Sequence, residues 1–198
     1  MKKADVLFTN ALVVTMDGEY HLYTEGAVVV KDHQIVAVGE AKDLAKEYAE
    51  AGEVIDCGGK VLMPGLINVH THVPMTLLRG LADDLRLDVW LMGYMMPVER
   101  EFVTPEFCRL GTELACAEMI RGGTTTFADM YYFEDVIAET TKKAGMRAVL
   151  GQSVIKFPTP DSKSYEDGLA LTEEFFQKWE DDELIVPAVA PHAPYTCT

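Results

Sequence analysis

The chain has 198 residues, enough for one domain or for one and part of another at about 150 residues each. Hydrophobic residues make up 48% and charged residues 25%, which excludes a mainly disordered chain, a collagen-like one and a disulfide scaffold. With 17 Lys+Arg against 32 Asp+Glu the net charge is −15, so phosphate backbones are repelled and nucleic acid is excluded as a general partner, although a local pocket can still take a nucleoside.

No apolar run approaches the roughly 18 residues that a membrane span needs. Met1-Lys2-Lys3 imitates the start of a signal peptide, but Asp5 and Asn10 interrupt the apolar stretch and no small-residue cleavage site follows. A cytoplasmic location is expected, without membrane contact. Cys57, Cys108, Cys116 and Cys197 contain no C-x-x-C pair, which argues against a zinc ribbon or a thioredoxin-type motif. Cys108 and Cys116 fall on one predicted helix, about 12 Å apart at 1.5 Å per residue, too far for a disulfide. Structural thiols are expected.

The first sixty residues read as short strands at 5–8, 11–16, 26–31 and 34–38, rich in Val, Ile, Leu and Thr. Thr9-Asn10, Asp17-Gly18 and Lys31-Asp32-His33 break them, the last as a hairpin turn. A surface helix is predicted over 41–51, and strands resume at 54–56 and 60–63 around Cys57-Gly58-Gly59. This pattern predicts a small β-sandwich or sheet over residues 1–63.

After Pro64-Gly65 the rhythm changes. A short apolar strand at 66–69 runs into His70-Thr71-His72. A helix is predicted over 104–121, with Thr104 as N-cap, Pro105 at the first helical position and Gly122-Gly123 as the stop. Phe107, Leu110, Leu114 and Ala117 mark its expected buried face. Strands at 124–129, 147–152 and 184–190 alternate with helices at 134–144 and 165–179. Strand–helix alternation implies a parallel sheet with helices packed on it. The fold class is therefore α/β. Four such strands are half of what a TIM-like (β/α)₈ barrel needs, so residues 64–198 are expected to form the amino-terminal half of one.

The chemistry starts at His70 and His72. Residues i and i+2 of a strand project to one face, so both imidazoles can approach one ion. A bare H-x-H is more often two surface histidines. Here an apolar strand leads into the pair and Pro74 follows at once, at the end of a strand where barrels open onto their active sites. Imidazole suits zinc, and also iron or nickel.

Pro64-Gly65-Leu66-Ile67-Asn68-Val69-His70-Thr71-His72 resembles the first-strand signature of the amidohydrolase superfamily. The stretch 74–85 with Trp90-Leu91 is similar to the superfamily's 5′-methylthioadenosine/S-adenosylhomocysteine deaminase branch, as are Gly122-Gly123-Thr124-Thr125-Thr126, Asp129-Met130-Tyr131 and Pro191-His192-Ala193-Pro194-Tyr195. The resemblance covers essentially the whole chain, but only the amino-terminal part of the family's pattern. It implies that His70 and His72 are two ligands of a single divalent metal, most often zinc, with iron as the alternative. It implies further that Glu99 and His192 contact substrate. From spacing alone Glu99 reads as a solvated helix residue, and His192, between two prolines, as a structural loop histidine. Where some relatives place a substrate-binding arginine at the end of the third barrel strand, this chain has Gln152. Asp129 ends a strand and reads as a cap for the next helix or a hold on a neighbouring loop. Asp83-Asp84 reads as a cap for a helix at Leu85.

The reaction implied is hydrolytic deamination of an adenosine-type or other aminated heterocycle. Water attacks the ring carbon bearing the amine, and ammonia leaves. The same resemblance places the remaining metal ligands and the proton-shuttle residues beyond Thr198, so no catalytic residue is expected in this segment. Two imidazoles fall short of the three protein ligands of a catalytic zinc site, and the segment alone is expected to be inactive. The partners expected are a small heterocyclic or nucleoside substrate and, for the full-length protein, further copies of itself. A chlorohydrolase or guanine deaminase of the same superfamily and a non-catalytic half barrel are the alternatives. The sequence lacks G-x-G-x-x-G after a strand, a P-loop, G-x-S-x-G and the cytidine-deaminase pattern, so those chemistries have no support.

Overall fold

The computed structural model describes residues 2–197, which form two compact units divided between Pro64 and Gly65.

In the first unit, β1 (Lys3–Val14), β2 (Leu22–Lys31), β3 (Gln34–Glu40), β4 (Glu50–Asp56) and β5 (Val61–Leu62) make one mixed sheet. Its order is β3-β2-β1-β4, with β5 also paired to β1. A sandwich needs a second sheet; among the described residues this unit has one, with the short helix α1 (Ala41–Glu47) beside it. Leu7, Ala27 and Val29 pack against Leu44 and Tyr48 on that side, while Ala11, Val13 and Val28 form a smaller cluster.

The predicted break at Thr9-Asn10 is a bulge inside a single strand. Asn10 takes a positive φ of 54° and its Nδ2 donates to Asp56 Oδ1 at 2.8 Å. At this kink β1 changes partner, from β4 before it to β5 after it. The hairpin at Lys31-Asp32-His33 forms as expected, with Asp32 and His33 at φ 50° and 65°, the two positive values that the tightest hairpin requires. The helix predicted over 41–51 stops earlier, because Glu50 and Ala51 already pair with β1.

The second unit holds four parallel strands in sequence order, β6 (Leu66–Thr71), β7 (Thr124–Tyr131), β8 (Arg147–Val154) and β9 (Ile185–Pro191). A 3₁₀ segment (Val73–Leu78), a π-helical turn (Val89–Met95), α2 (Met96–Phe102) and α3 (Pro105–Arg121) connect β6 to β7. The helices α4 (Glu134–Ala144) and α5 (Tyr165–Trp179) follow β7 and β8, and α6 (Pro194–Cys197) follows β9. Phe127, Leu150 and Ile185 from the strands meet Ile137, Ala138, Phe175 and Trp179 from the helices in one core. Burial of this kind contributes about 1.5–3 kcal/mol per large apolar side chain.

The boundaries of α3 follow the sequence. Thr104 Oγ1 accepts from Phe107 N at 3.2 Å, and Gly123 takes φ 80° past the last turn. Its buried face follows it only at Phe107. Leu110 and Leu114 are 44% and 40% exposed, while Cys108, Gly111, Thr112, Ala115 and Cys116 are buried. The cause is close backbone approach: a Cβ on Gly111 would lie 2.5 Å from the Pro74 carbonyl oxygen. Only small residues allow that contact, so of the residues expected to mark the face only Phe107 packs against the core, while Leu110, Leu114 and Ala117 point outward. Asp83-Asp84 caps no helix either; residues 81–86 are irregular, helical geometry starts only at Leu87, and Asp84 takes φ 57°. All four cysteines are free, as expected. Among the described residues no helix is long and apolar enough to cross a membrane.

Candidate metal and substrate site

The carboxyl ends of β6 to β9 open into one cavity, lined by His72 after β6, Met130 and Tyr131 on β7, Ser153 on β8 and His192 after β9. The π-helical turn and α2 add Trp90, Met95 and Glu99. Strand ends provide such positions because their side chains project outward while the backbone stays anchored in the sheet.

His70 and His72 come together. Their rings stand 5.0 Å apart between centroids, in an edge-to-face arrangement. His72 Nδ1 lies 2.6 Å from the Met130 carbonyl oxygen. A carbonyl only accepts, so Nδ1 carries the proton and Nε2 keeps its lone pair. Burial lowers the pKa of His72, with the Met130 contact opposing and nearby His70 and His192 adding to the fall. The imidazole is thereby held neutral, the form that ligates metal. A backbone acceptor on the distal nitrogen is the arrangement by which metal-binding histidines are oriented. The donor set therefore fits a divalent ion of the zinc class, with two of the three protein ligands a catalytic site uses. Among the described residues no cluster of three or more His, Cys, Asp or Glu side chains is poised to hold one.

Glu99 is no solvated helix residue. It is 6% exposed, on α2, and Tyr131 Oη donates to its Oε1 at 3.0 Å. The Tyr132 phenol lies beside it. Burial raises its pKa, with both phenols acting against the rise. His192 lines the same cavity, and its Nδ1 lies 2.9 Å from Thr196 Oγ1. Burial lowers its pKa.

Gln152 lies on the opposite side of β8 from the cavity. Its side chain is buried, accepts from Glu134 N at 3.4 Å and donates to Asp161 at 2.8 Å, while its neighbour Ser153 faces the cavity. Asp129 caps no helix. Its Oδ1 accepts from Val73 N at 2.7 Å and from Thr71 Oγ1 at 2.5 Å, which holds the end of β6. Neither the two phenols beside Glu99 nor the Met130 carbonyl on His72 is visible in the sequence pattern. Tyr131 sits in the Asp129-Met130-Tyr131 motif, but nothing in the pattern connects it to Glu99, 32 positions away.

A family model described as the amidohydrolase family matches residues 61–198. The chain belongs to the amidohydrolase family. Within it, the chain is 49% identical over 196 residues to a 5-methylthioadenosine/S-adenosylhomocysteine deaminase of Syntrophobacter fumaroxidans, covering 99% of this chain and 44% of that protein. It superposes with a TM-score of 0.94 and 44% identity on an adenosine deaminase from Xanthomonas campestris with bound zinc, over 98% of this chain and 44% of that one. An atrazine chlorohydrolase from Arthrobacter aurescens, complexed with zinc, shares the fold at TM-score 0.85 and 19% identity, over 98% and 48% of the two chains. The chain thus spans less than half the length of these amidohydrolase relatives.

Proposed function

We propose that this chain is the amino-terminal portion of a metal-dependent hydrolytic deaminase acting on an adenosine-type substrate, a 5′-methylthioadenosine or S-adenosylhomocysteine. In this reading residues 64–198 are the first half of a (β/α)₈ barrel, and residues 1–63 are part of a composite domain whose remaining sheet comes from elsewhere in the protein. The observation that carries it is the His70–His72 pair at the end of the first parallel strand, with His72 fixed by Met130 so that Nε2 is free. The zinc-bound relative at 44% identity supports zinc, and iron fits the same donors.

His70 and His72 would hold the ion. When bound, zinc supplies Lewis acidity, which lets water act as a nucleophile at neutral pH. The residues of this chain bind and orient. The Glu99 carboxylate, steadied by Tyr131 and Tyr132, accepts hydrogen bonds from substrate hydroxyls. His192, kept neutral by burial, offers one imidazole nitrogen to the heterocycle. Trp90, Met95 and Phe157 give a polarizable apolar wall suited to a flat ring and a thioether. The cavity in this chain measures about 120 Å³, against roughly 300 Å³ or more for a ligand site, which suits one wall of a larger pocket.

The test is ammonia release by the metal-replete full-length protein from 5′-methylthioadenosine, S-adenosylhomocysteine, adenosine, guanine and an aminotriazine. Deamination of the adenosine thioethers is expected. No ammonia from any of them refutes the proposal, and chloride release from a chlorotriazine would identify the chlorohydrolase instead.

A further inference from the structure

Behind the cavity, on the helix-covered side of the sheet, two carboxyl groups are sealed from solvent. Asp129 is 6% exposed and Glu134 is fully buried. Each has one oxygen tied to the backbone: Asp129 Oδ1 takes Val73 N, and Glu134 Oε1 takes Tyr131 N at 2.7 Å. The other two oxygens, Asp129 Oδ2 and Glu134 Oε2, receive no donor among the described residues. Among the described residues no cation pairs with either, and the two carboxyl groups are within hydrogen-bonding reach of each other. Two negative charges enclosed in this way would repel strongly in a medium of low dielectric, and an unpaired buried charge is costly. A hydrogen bond between carboxyl groups requires that one of them carry a proton. Burial pushes the pKa of Asp129 up to about 7 and that of Glu134 well above its usual range, so both carboxyl groups are shifted toward the protonated form.

The pair has a position as well as a charge. Asp129 Oδ1 grips Thr71 and Val73, the residues on either side of His72, and Met130, next to Asp129, supplies the carbonyl that orients the His72 ring. Glu134 in turn grips Tyr131, the phenol on Glu99. We propose that Asp129 and Glu134 share a single proton and, as a neutral-plus-anionic hydrogen-bonded pair, act as positioning residues that lock the His72 segment of β6 to β7. The positioning half rests on the metal reading above; the proton half does not.

The experiment uses the full-length protein. Infrared spectra at neutral pH are expected to show the carbonyl stretch of a buried protonated carboxyl group, lost in both E134Q and D129N because each leaves one carboxylate facing an amide donor. Both variants keep the acceptors and donors of the lattice, so zinc affinity, measured by chelator competition, should stay within a few-fold of wild type. D129A removes the grip on Thr71 and Val73 and is expected to weaken zinc binding by about 10–100-fold. Should D129A fail to fold, T71V, which deletes one neutral hydroxyl, carries the same test with an expected loss of about 10-fold. A band that survives in E134Q, a wild type with no such band, or unchanged zinc affinity in both D129A and T71V overturns the proposal. If wild type and H72A take up zinc equally poorly, the metal reading fails, and the infrared band still decides the shared proton.

Discussion

Gly111 on α3 offers a sharp test of how the helix meets the segment that follows His72. An added Cβ would sit 2.5 Å from the Pro74 oxygen, 2.7 Å from its Cα and 3.0 Å from its carbonyl carbon. All three are backbone atoms of a proline, so no side-chain rotation relieves the contact and helix or segment must move. Overpacking of this kind costs about 1–3 kcal/mol, and the rigid partner argues for the upper part of that range. Ala is favoured over Gly in a helix interior by about 1 kcal/mol. The net expectation for Gly111→Ala is a loss of about 1–2 kcal/mol. Gly168 on α5 is the control: its added Cβ meets only Ser162 Oγ at 3.7 Å, an ordinary contact. Gly168→Ala should therefore gain up to about 1 kcal/mol from the same helix term. Urea unfolding read by circular dichroism measures both variants. If Gly111→Ala is as stable as Gly168→Ala, the close approach of α3 to Pro74 is refuted.

His72→Ala should abolish measurable zinc uptake, and Met130→Leu should leave it intact because the contact to His72 is made by the main chain; metal analysis after gel filtration checks both. Glu99→Gln should raise KM for a ribose-containing substrate by about 10–100-fold, the loss of a charge-assisted hydrogen bond, while Tyr131 still has an oxygen to donate to. Stability should depend on pH with a definite sign. Free carboxyls titrate near pH 4, whereas Asp129 and Glu134 are raised, so between about pH 4 and 7 and beyond the folded state binds more protons than the unfolded one. The stability they contribute is present in acid and lost as pH rises through about 7. His72 and His192 are lowered and act oppositely, but only below about pH 6.5, where the unfolded imidazoles take up protons first. Urea unfolding from pH 6.5 to 8 should thus show falling stability in the wild type and a flatter profile in the D129N/E134Q double variant. Alkylation should spare Cys108, buried and with its thiol pushed up to about 12, until the protein is unfolded.

What was legible in the sequence had a local cause. Thr104 and Gly145 punctuate helices through their own backbone geometry, and the apolar runs of β7 and β8 are bounded by glycine and charge. The H-x-H pair could be placed because alternation along a strand puts i and i+2 on one face. What was hidden depended on partners distant in the chain. Where α3 crosses Pro74, 37 positions earlier, its packing face is made of small residues, so a search for large apolar side chains found Phe107 but misplaced Leu110 and Leu114. Glu99 is buried beside two phenols, Tyr131 on β7 and Tyr132 just after it, and nothing in a Met-rich run announces that. The opposite facing of Gln152 and Ser153 turns on one residue of strand phase, finer than a boundary read from composition. The Asp129–Glu134 contact has no signature at all, because a sealed carboxyl and a solvated one are spelled with the same letters.

The ring of His72 is steered by a peptide oxygen rather than by a side chain. Position 130 is thus free to drift through many amino acids without disturbing the tautomer, since every residue brings the same C=O. Only a slip in how β6 and β7 are laid side by side can remove it. The protonation pattern of this imidazole is inherited with the weave of the sheet, and a lineage can remodel the walls around it while the nitrogen that faces the cavity stays in place.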